Sequence, residues 1–423
     1  MVKDGYILTE IGIIPKDWQL LTVNDTLELL TDFEANGSFE SVANNVTISD
    51  NSNFAWYVRA TDLEKNSNLS NVKYVDKKSY SFLKKTPLFG KEVLITKRGE
   101  IGKVYYFKQK YSHSTLAPNL YLLKLNQNIV EPLFVYYFFK SNIGNKLLLQ
   151  KNASSTLGAL YKDDVKAIYF PIPPIEEQKA IAKALSDTDE LIITLEKLIL
   201  KKEAIKQGTM QQLLTGRKRL SGFSGEWKEK RLEEISNISR GASPRPIEDS
   251  KWFDSNSSIG WVRISDISKT TKFLNYTVQK LSEDGVSQSR FVKKDNLIMS
   301  ICATLGKPIL TKIDSCIHDG FVVFNNLQID REFLYYFLFF IENNWSKSGQ
   351  TGSQMNLNTE LINSTTILLP PTREEQLSIA KILSDMDKEI ETLKSKLTKT
   401  KAIKDGIMSE LLTGKTRLKV KDE

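Results

Sequence analysis

Glu176-Glu177-Gln178-Lys179-Ala180-Ile181-Ala182-Lys183-Ala184-Leu185-Ser186-Asp187 returns 198 positions later as Glu374-Glu375-Gln376-Leu377-Ser378-Ile379-Ala380-Lys381-Ile382-Leu383-Ser384-Asp385. Further along, Ala204-Ile205-Lys206 and Leu213-Leu214-Thr215-Gly216 return as Ala402-Ile403-Lys404 and Leu411-Leu412-Thr413-Gly414. About 25 of the 46 positions between Ile175 and Leu220 match their partners, more than two unrelated helices would share. This is a tandem duplication. The preceding segments correspond more loosely: Val58-Arg59-Ala60-Thr61-Asp62 faces Val262-Arg263-Ile264-Ser265-Asp266, Ile101-Gly102-Lys103 faces Leu305-Gly306-Lys307, Leu133 to Phe138 faces Phe333 to Leu338, and Trp18 faces Trp227. The chain therefore reads as a variable block (1–170), a shared segment (171–220), a second variable block (221–369) and the shared segment again (370–423).

Each shared segment has the signals of one long helix. Pro173-Pro174 and Pro370-Pro371 stand before it, Thr372 and Glu375 have capping-box spacing, and acidic residues occupy the first turn. Apolar residues at Ile181, Leu185, Ile192, Leu195 and Ile199, and at Ile379, Leu383, Met386, Ile390, Leu393 and Leu397, follow the 4-3 spacing of a coiled-coil seam. A helix from Glu176 to Leu214 runs ~58 Å at 1.5 Å per residue. Two such rods, each with a stripe to bury, are expected to pair antiparallel, because a globular block between them returns the chain. The seam weakens at Lys202, Lys206 and Thr400, and Thr-Gly at 215–216 and 413–414 is a stop signal. The alternative is that each helix packs only on its own block. Identical polar positions (Gln178, Lys183, Ser186, Asp187, Asp189, Lys206 and their repeats) argue against it and suggest two equivalent docking faces for one kind of partner.

Composition bounds the rest. The 423 residues carry 59 Lys plus Arg against 51 Asp plus Glu, a net charge of +8, which favours polyanionic partners without requiring them. Cys302 and Cys316 make no disulfide framework, and with His113 and His318 no zinc spacing, so a reducing, cytoplasmic setting is expected. The first fifteen residues lack a signal-peptide core, and apolar runs such as Leu133 to Phe139 are too short to cross a bilayer.

The variable blocks alternate short strand-like runs with dense turn signals, so two mixed α/β domains are expected. Each carries polar and basic residues suited to DNA: Arg59, Thr61, Lys97, Arg98, Lys103, His113 and Ser154-Ser155-Thr156 in the first, and Arg263, Ser265, Lys307, His318 and Gln350-Thr351-Gly352-Ser353-Gln354 in the second. Arg and Lys donate to guanine or phosphate, and Gln, Ser and Thr read base edges or fix phosphates. The same residues have structural readings: Arg59 with Asp62 and Arg263 with Asp266 as ion pairs, the histidines as ordinary polar groups, and the runs as plain loops. Gly102-Lys103 and Gly306-Lys307 lack the earlier Gly and the following Ser or Thr of a phosphate-binding loop, so they read as turns, with a phosphate contact open to the Lys. The basic stretches Arg217-Lys218-Arg219 and Arg417, Lys419, Lys421 read as solvated linkers or phosphate neighbours. No nucleophile elbow, metal cluster, dinucleotide fingerprint or amino-methyltransferase tetrapeptide is present, so the chain reads as non-catalytic.

The Pro-Pro starts at 173 and 370, the Ile-Ala-Lys-x-Leu-Ser-Asp segments, the Leu-Leu-Thr-Gly ends and the two diverged blocks together resemble the specificity subunit of type I restriction-modification systems, over essentially the whole chain. The resemblance implies an α+β protein with two mixed α/β target-recognition domains separated by two long helices in an antiparallel coiled coil, a pseudo-twofold internal repeat. It implies that each domain reads one half of a bipartite, asymmetric site in double-stranded DNA. Two methyltransferase (modification) subunits dock on the helices, and a restriction subunit can join them. No cofactor is expected on this chain; S-adenosylmethionine, ATP and Mg belong to the partner subunits. The competing readings are a scaffold that joins two copies of one partner without touching DNA, the specificity chain of a methylation-only system, and a stand-alone enzyme.

Overall fold

The computed structural model describes residues 4–65, 68–150, 159–268, 270–348 and 357–418. Four helices organise it: α1 (Pro132–Lys140), α2 (Ile175–Leu214), α3 (Arg331–Ser348) and α4 (Arg373–Leu411). The chain divides into two compact units, residues 1–195 with 396–423, and residues 196–395, so each boundary between them falls inside α2 or α4.

In the first unit an antiparallel four-stranded sheet runs in the order β2 (Val104–Tyr106), β1 (Val93–Thr96), Leu120–Leu125, Leu27–Asp32. Alternation along β1 sends Val93 and Ile95 into a core with Phe134 and Phe138 of α1, while Leu94 faces Trp56 and Leu122 toward a second, five-stranded sheet. In that second sheet Ala55–Val58 lies parallel to Ser114–Leu116.

The second unit repeats this plan with one strand more in its larger sheet and one fewer in its smaller sheet. Its larger sheet runs Asn237–Arg240, Phe321–Asn325, β4 (Leu297–Ser300), β5 (Pro308–Thr311), and then β3 (Phe273–Leu274) parallel to β5. β4 and β5 occupy the places of β1 and β2. Among the described residues β3 has no counterpart in the first unit, where β2 is the edge.

The long helices end as their residues dictate. Gly216 and Gly414 take φ of +68° at the C-terminus, and the Lys218 and Thr416 amides donate back to the Gln212 and Glu410 carbonyls, at 3.1 and 3.3 Å. Gly208 and Gly406 lie inside unbroken helix. At the start of α4 the Thr372 hydroxyl accepts the Glu375 amide at 3.3 Å, but the Glu375 carboxylate leaves the expected capping box for Arg219.

Both readings of the apolar stripe hold, in different stretches. In the first unit Ile181 and Leu185 enter the block's core together with Met408 and Leu411 of α4 and Leu412 just after it. In the second, Ile379 and Leu383 join Met210, Leu213 and Leu214 of α2. Ile192, Leu195, Ile199 and Ile390 are buried outside those cores, while Met386, Leu393 and Leu397 are half-buried. Ion pairs fix the antiparallel sense within each unit. Lys404 meets Asp189 at 2.5 Å and Arg417 meets Glu177 at 2.6 Å in the first; Lys206 meets Asp387 at 2.5 Å and Arg219 meets Glu375 at 2.8 Å in the second. Each pair is the other's copy with the roles of the repeats exchanged, the pattern of a self-complementary interface. Lys202 adds a 2.7 Å bridge to Glu389, so where the seam weakens the contact is ionic.

These bonds correct the reading of the shared polar positions as a docking face. Gln178 is buried; its amide donates to the Ile129 and Pro173 carbonyls and its oxygen accepts the Glu131 amide, while Gln376 does the same with Pro370 and Asp330. Asp189 accepts from Tyr137 and Lys404, as Asp387 does from Tyr336 and Lys206. Most of the recurrence therefore serves internal bonding. Lys183–Asp187 and Lys381–Asp385 remain outward, as exposed ion pairs of 2.7 and 2.8 Å.

Candidate nucleic-acid interface

One loop is built identically in both units. Between β1 and β2, Thr96 and Lys103 close the turn, with the Gly102 amide donating to the Thr96 carbonyl at 3.1 Å and the Lys103 amide to the Thr96 hydroxyl at 2.9 Å. Between β4 and β5 the Gly306 amide reaches the Ser300 carbonyl at 2.9 Å and the Lys307 amide the Ser300 hydroxyl at 3.2 Å. Gly102 and Gly306 have φ of +76° and +74°, and a Cβ on Gly306 would lie 2.0 Å from Trp345. The Gly-Lys pairs are hairpin turns.

Around this shared loop the charges differ. In the first unit Asp32 ends its strand opposite Tyr121 and accepts from the Lys97 and Lys162 ammoniums at 2.8 and 2.9 Å. Burial pushes its carboxyl upward, yet the bonds and charges of the two lysines outweigh this and hold it below the ordinary carboxylate range. Arg98, largely exposed, lies 3.4 Å from Glu34. In the second unit Arg240 stands at the same strand end, opposite Val322, and Ile301 replaces Lys97. The Arg240 guanidinium donates to the Asp319 carbonyl at 2.8 Å, and Arg290 donates to the Arg240 carbonyl at 3.1 Å. The Asp319 carboxylate accepts from Ser243 at 2.9 Å and lies 3.6 Å from Arg245, itself 77% exposed. Arg240, Arg245 and Arg290 are exposed and linked through Asp319 and the Arg240 carbonyl, with Arg263 close enough to His318 to act on its charge. Backbone bonds on this frame are nonetheless the same: Lys97 and Ile301 donate to the Asn119 and Gly320 carbonyls, and accept from the Leu160 and Leu357 amides.

The residues expected to meet DNA divide accordingly. Lys97 is 3% exposed and locked between Asp32 and Glu34, so it has no free face for phosphate. Arg59 forks onto Asp62 at 2.7 and 3.1 Å and also donates to the Asn71 carbonyl, which takes the structural side of its alternatives. Lys307 donates to the Ile267 carbonyl at 2.8 Å, and burial depresses its ammonium. His113 stacks on Phe54 with ring centroids 4.3 Å apart, and His318 Nδ1 accepts the Gly320 amide at 2.7 Å. Arg219 and Arg417, read as linker, clamp the buried Glu375 and Glu177. Lys103 is half-exposed but engages Glu64 and Glu100. Arg263 forms no ion pair with Asp266, whose carboxylate accepts the Arg263 amide instead, while the guanidinium donates to Gln279 at 3.0 Å. Thr61, Arg98, Arg263 and Ser265 are exposed. Ser154, Ser155, Thr156, Gln350, Thr351, Ser353, Gln354, Lys419 and Lys421 lie outside the described residues. Arg240, Arg245 and Arg290 were not singled out from the sequence, because only the fold gathers them.

Among the described residues no group of three or more His, Cys, Asp or Glu is arranged to hold a metal ion, and no helix is long and apolar enough to cross a membrane.

The class these features define is confirmed by comparison. The chain belongs to the family described as type I restriction modification DNA specificity domain, which matches residues 15–207 and 224–401, one span for each repeat. It is 26% identical, over 99% of its length and 98% of the relative's, to a putative type I restriction enzyme MjaX specificity subunit of Methanocaldococcus jannaschii. It is 27% identical to the type I restriction enzyme MjaVIII specificity subunit of that organism, over 75% of this chain and 77% of the relative. The fold matches the type I restriction-modification S subunit of M. genitalium, with a TM-score of 0.58 at 17% identity over 93% of this chain and 96% of that one. It also matches the HsdS subunit of Thermoanaerobacter tengcongensis, at 0.51 and 16% over 95% and 98%. This is a specificity subunit of a type I restriction-modification system, and DNA recognition within a restriction-modification complex follows from the family. Such subunits are generally non-catalytic.

Proposed function

We propose that each variable block, 1–170 and 221–369, reads one half of a bipartite, asymmetric DNA site, while the shared segments 171–220 and 370–423 set the spacing and hold two modification (methyltransferase) subunits. The observation that carries this reading is the strand end at Asp32 and Arg240. One hydrogen-bonded frame carries a buried lysine–aspartate pair flanked by the exposed Arg98 and Glu34 in one unit and an exposed arginine cluster in the other. A duplicated scaffold that keeps its backbone and exchanges its outward charges is suited to reading two different sequences. Arg240, Arg245 and Arg290 can donate to guanine O6 and N7, so the half-site of the second block contains guanine. In the first block Arg98 offers the same contact, and the exposed Glu34 can accept from cytosine.

The exposed pairs Lys183–Asp187 and Lys381–Asp385 are the part of the repeated surface left for two identical partners. This chain contributes recognition and no catalysis; S-adenosylmethionine, ATP and Mg are held by the modification and restriction subunits. Mapping methylated bases in cells with the wild-type chain, with an Arg240→Ala/Arg245→Ala variant and without the chain tests the assignment. The expected result is an interrupted motif that requires the chain, relaxed in one half only by the double variant. A motif that is independent of the chain, or relaxed equally in both halves, overturns it.

A further inference from the structure

The two units differ at one sheet edge, and the difference leaves an open site. In the second unit β3 runs parallel to β5: the Leu310 and Lys312 amides donate to the Lys272 and Leu274 carbonyls at 2.9 and 2.8 Å. The Lys272 ammonium is buried beside it, donating to Glu332 at 2.6 Å, the Tyr336 hydroxyl at 3.0 Å and the Ser384 hydroxyl at 3.3 Å. In the first unit Tyr106 and Lys108 occupy the places of Leu310 and Lys312, counted from the shared Gly-Lys turn. Their amides point away from β1 and have no backbone partner among the described residues. Beside them opens a groove of about 1080 Å³, whose lining includes Tyr106, Lys108, Tyr137, Ser186 and Glu190. Tyr137 and Ser186 are the counterparts of Tyr336 and Ser384, one residue off the register read from the sequence for the tyrosine, since Tyr137 and Tyr336 each bond the repeated aspartate, and Glu190 adds a carboxylate to the same lining.

We propose that the β2 edge of the first unit binds an extended segment of a partner polypeptide by parallel strand addition, with a lysine of that segment seated against Tyr137, Ser186 and Glu190. The second unit shows the mode with its own residues: a short strand whose carbonyls meet alternate amides and whose lysine fills the polar end. Nucleic acid fits less well. The carboxylates of Asp62, Glu64, Asp189 and Glu190 line the groove against Lys103, Lys108, Lys110 and Lys140, with Lys103 already engaged by Glu64 and Glu100, so its charges balance and it is not a predominantly cationic channel. The free amides also call for acceptors at strand spacing, which a polypeptide supplies.

The probe is a fluorescent peptide copying Thr270–Tyr276, titrated into the full chain and followed by anisotropy. Saturable binding is expected. It should weaken at least tenfold with Tyr106→Pro, which removes one outward amide without touching the bonds to β1, and with the surface change Glu190→Lys. A peptide carrying Lys272→Glu should not bind the wild-type chain. Circular dichroism melts of both variants check that they fold. Absence of saturation at millimolar peptide overturns the proposal. Binding that neither variant weakens also overturns it, since the peptide would then sit elsewhere, including the β3 position of the second unit. An oligonucleotide that saturates the groove while the peptide does not would make it a nucleic-acid site and equally end the proposal.

Discussion

The ends of the long helices and the strand ends around the hairpin loop have diverged to opposite degrees. At the helix ends both copies retain the same clamp, Arg417 on Glu177 and Arg219 on Glu375, with a tryptophan in each case against the glycine that stops the helix: Trp18 at Gly414 and Trp227 at Gly216. At the strand ends the backbone bonds match, yet Asp32 has become Arg240 and Lys97 has become Ile301. A buried ion pair that is broken on one side leaves an uncompensated charge in a desolvated place, so neither partner changes alone. An exposed guanidinium on a fixed backbone has no such restraint. Asp32 and Lys97 are nearly as buried as the clamped carboxylates, and there both partners differ between the units, so burial ties the members of a pair together without fixing the pair itself.

The largest expected effect breaks that contrast at its conserved end. Glu375 is fully buried and its two oxygens accept from Arg219 at 3.0 and 2.8 Å. Arg219→Ala should therefore destabilise the second unit by about 3–5 kcal/mol. Arg417→Ala, which strips the equally buried Glu177, should cost the first unit a similar amount. Calorimetric unfolding of both variants checks this; a loss within the range of ordinary surface substitutions would mean that the clamps do not hold the helix ends.

At the diverged end the effect moves from stability to binding. Arg240→Ala or Arg245→Ala should leave thermal unfolding nearly unchanged and weaken binding to the cognate duplex by about 1–3 kcal/mol if the arginine reads a guanine. A residue that contacts phosphate instead should weaken all duplexes alike and lower the salt slope by about 1. Titrations of cognate and scrambled duplexes at several salt concentrations separate these outcomes, and a variant that binds both as the wild type does would exclude its residue from the reading surface.

Much of this organisation is legible in the sequence because it is local. The 4-3 spacing, the prolines before each helix and the Thr-Gly stops all lie within a few turns of chain, and the duplication shows as identity between two such stretches. What the sequence withholds is the identity of distant partners. Gln178, Asp189 and Lys206 recur, and recurrence alone gives no hint that they bond to Ile129, Tyr137 and Asp387 rather than face outward. Lys97 reads as a candidate phosphate contact until Asp32, far upstream, is brought beside it. The strand β3 is only two residues long and carries no period. The arginines of the second unit sit at the ends of two strands and in a loop, up to fifty residues apart in sequence, so no local cluster marks them.

A smaller effect tests Lys307, which the sequence offers as a phosphate contact and the fold uses to hold the Ile267 carbonyl in the short helix Ile264–Ser268. Lys307→Ala should cost about 1 kcal/mol of stability, in the range of one hydrogen bond, and leave the salt slope of DNA binding unchanged. Lys103→Ala, at the equivalent turn, loses only exposed ion pairs and should show little change in unfolding. A salt slope lowered by Lys307→Ala would return that residue to the interface.

The smallest expected effect is a pH dependence confined to one repeat. His318 follows the strand Ser315–Ile317, where the first unit has Ala117 after Ser114–Leu116. Burial depresses its imidazole below the ordinary value, the charges of Asp319 and Asp266 oppose the shift, and that of Arg263 adds to it. The folded state thus favours the neutral ring, whose Nδ1 accepts the Gly320 amide, and the unfolded chain binds the extra proton first. The contribution is present in full above the unfolded value of about 6.5 and is lost as pH falls through the lower, folded one. His318→Ala should flatten this part of the profile while lowering stability at neutral pH, because the Gly320 amide loses its acceptor. Unfolding of wild type and variant between pH 5 and pH 8 reads the difference. Parallel profiles would mean that the ring titrates alike in the folded and unfolded chain, and that this loop, for all its exposed arginines, does not hold its histidine neutral.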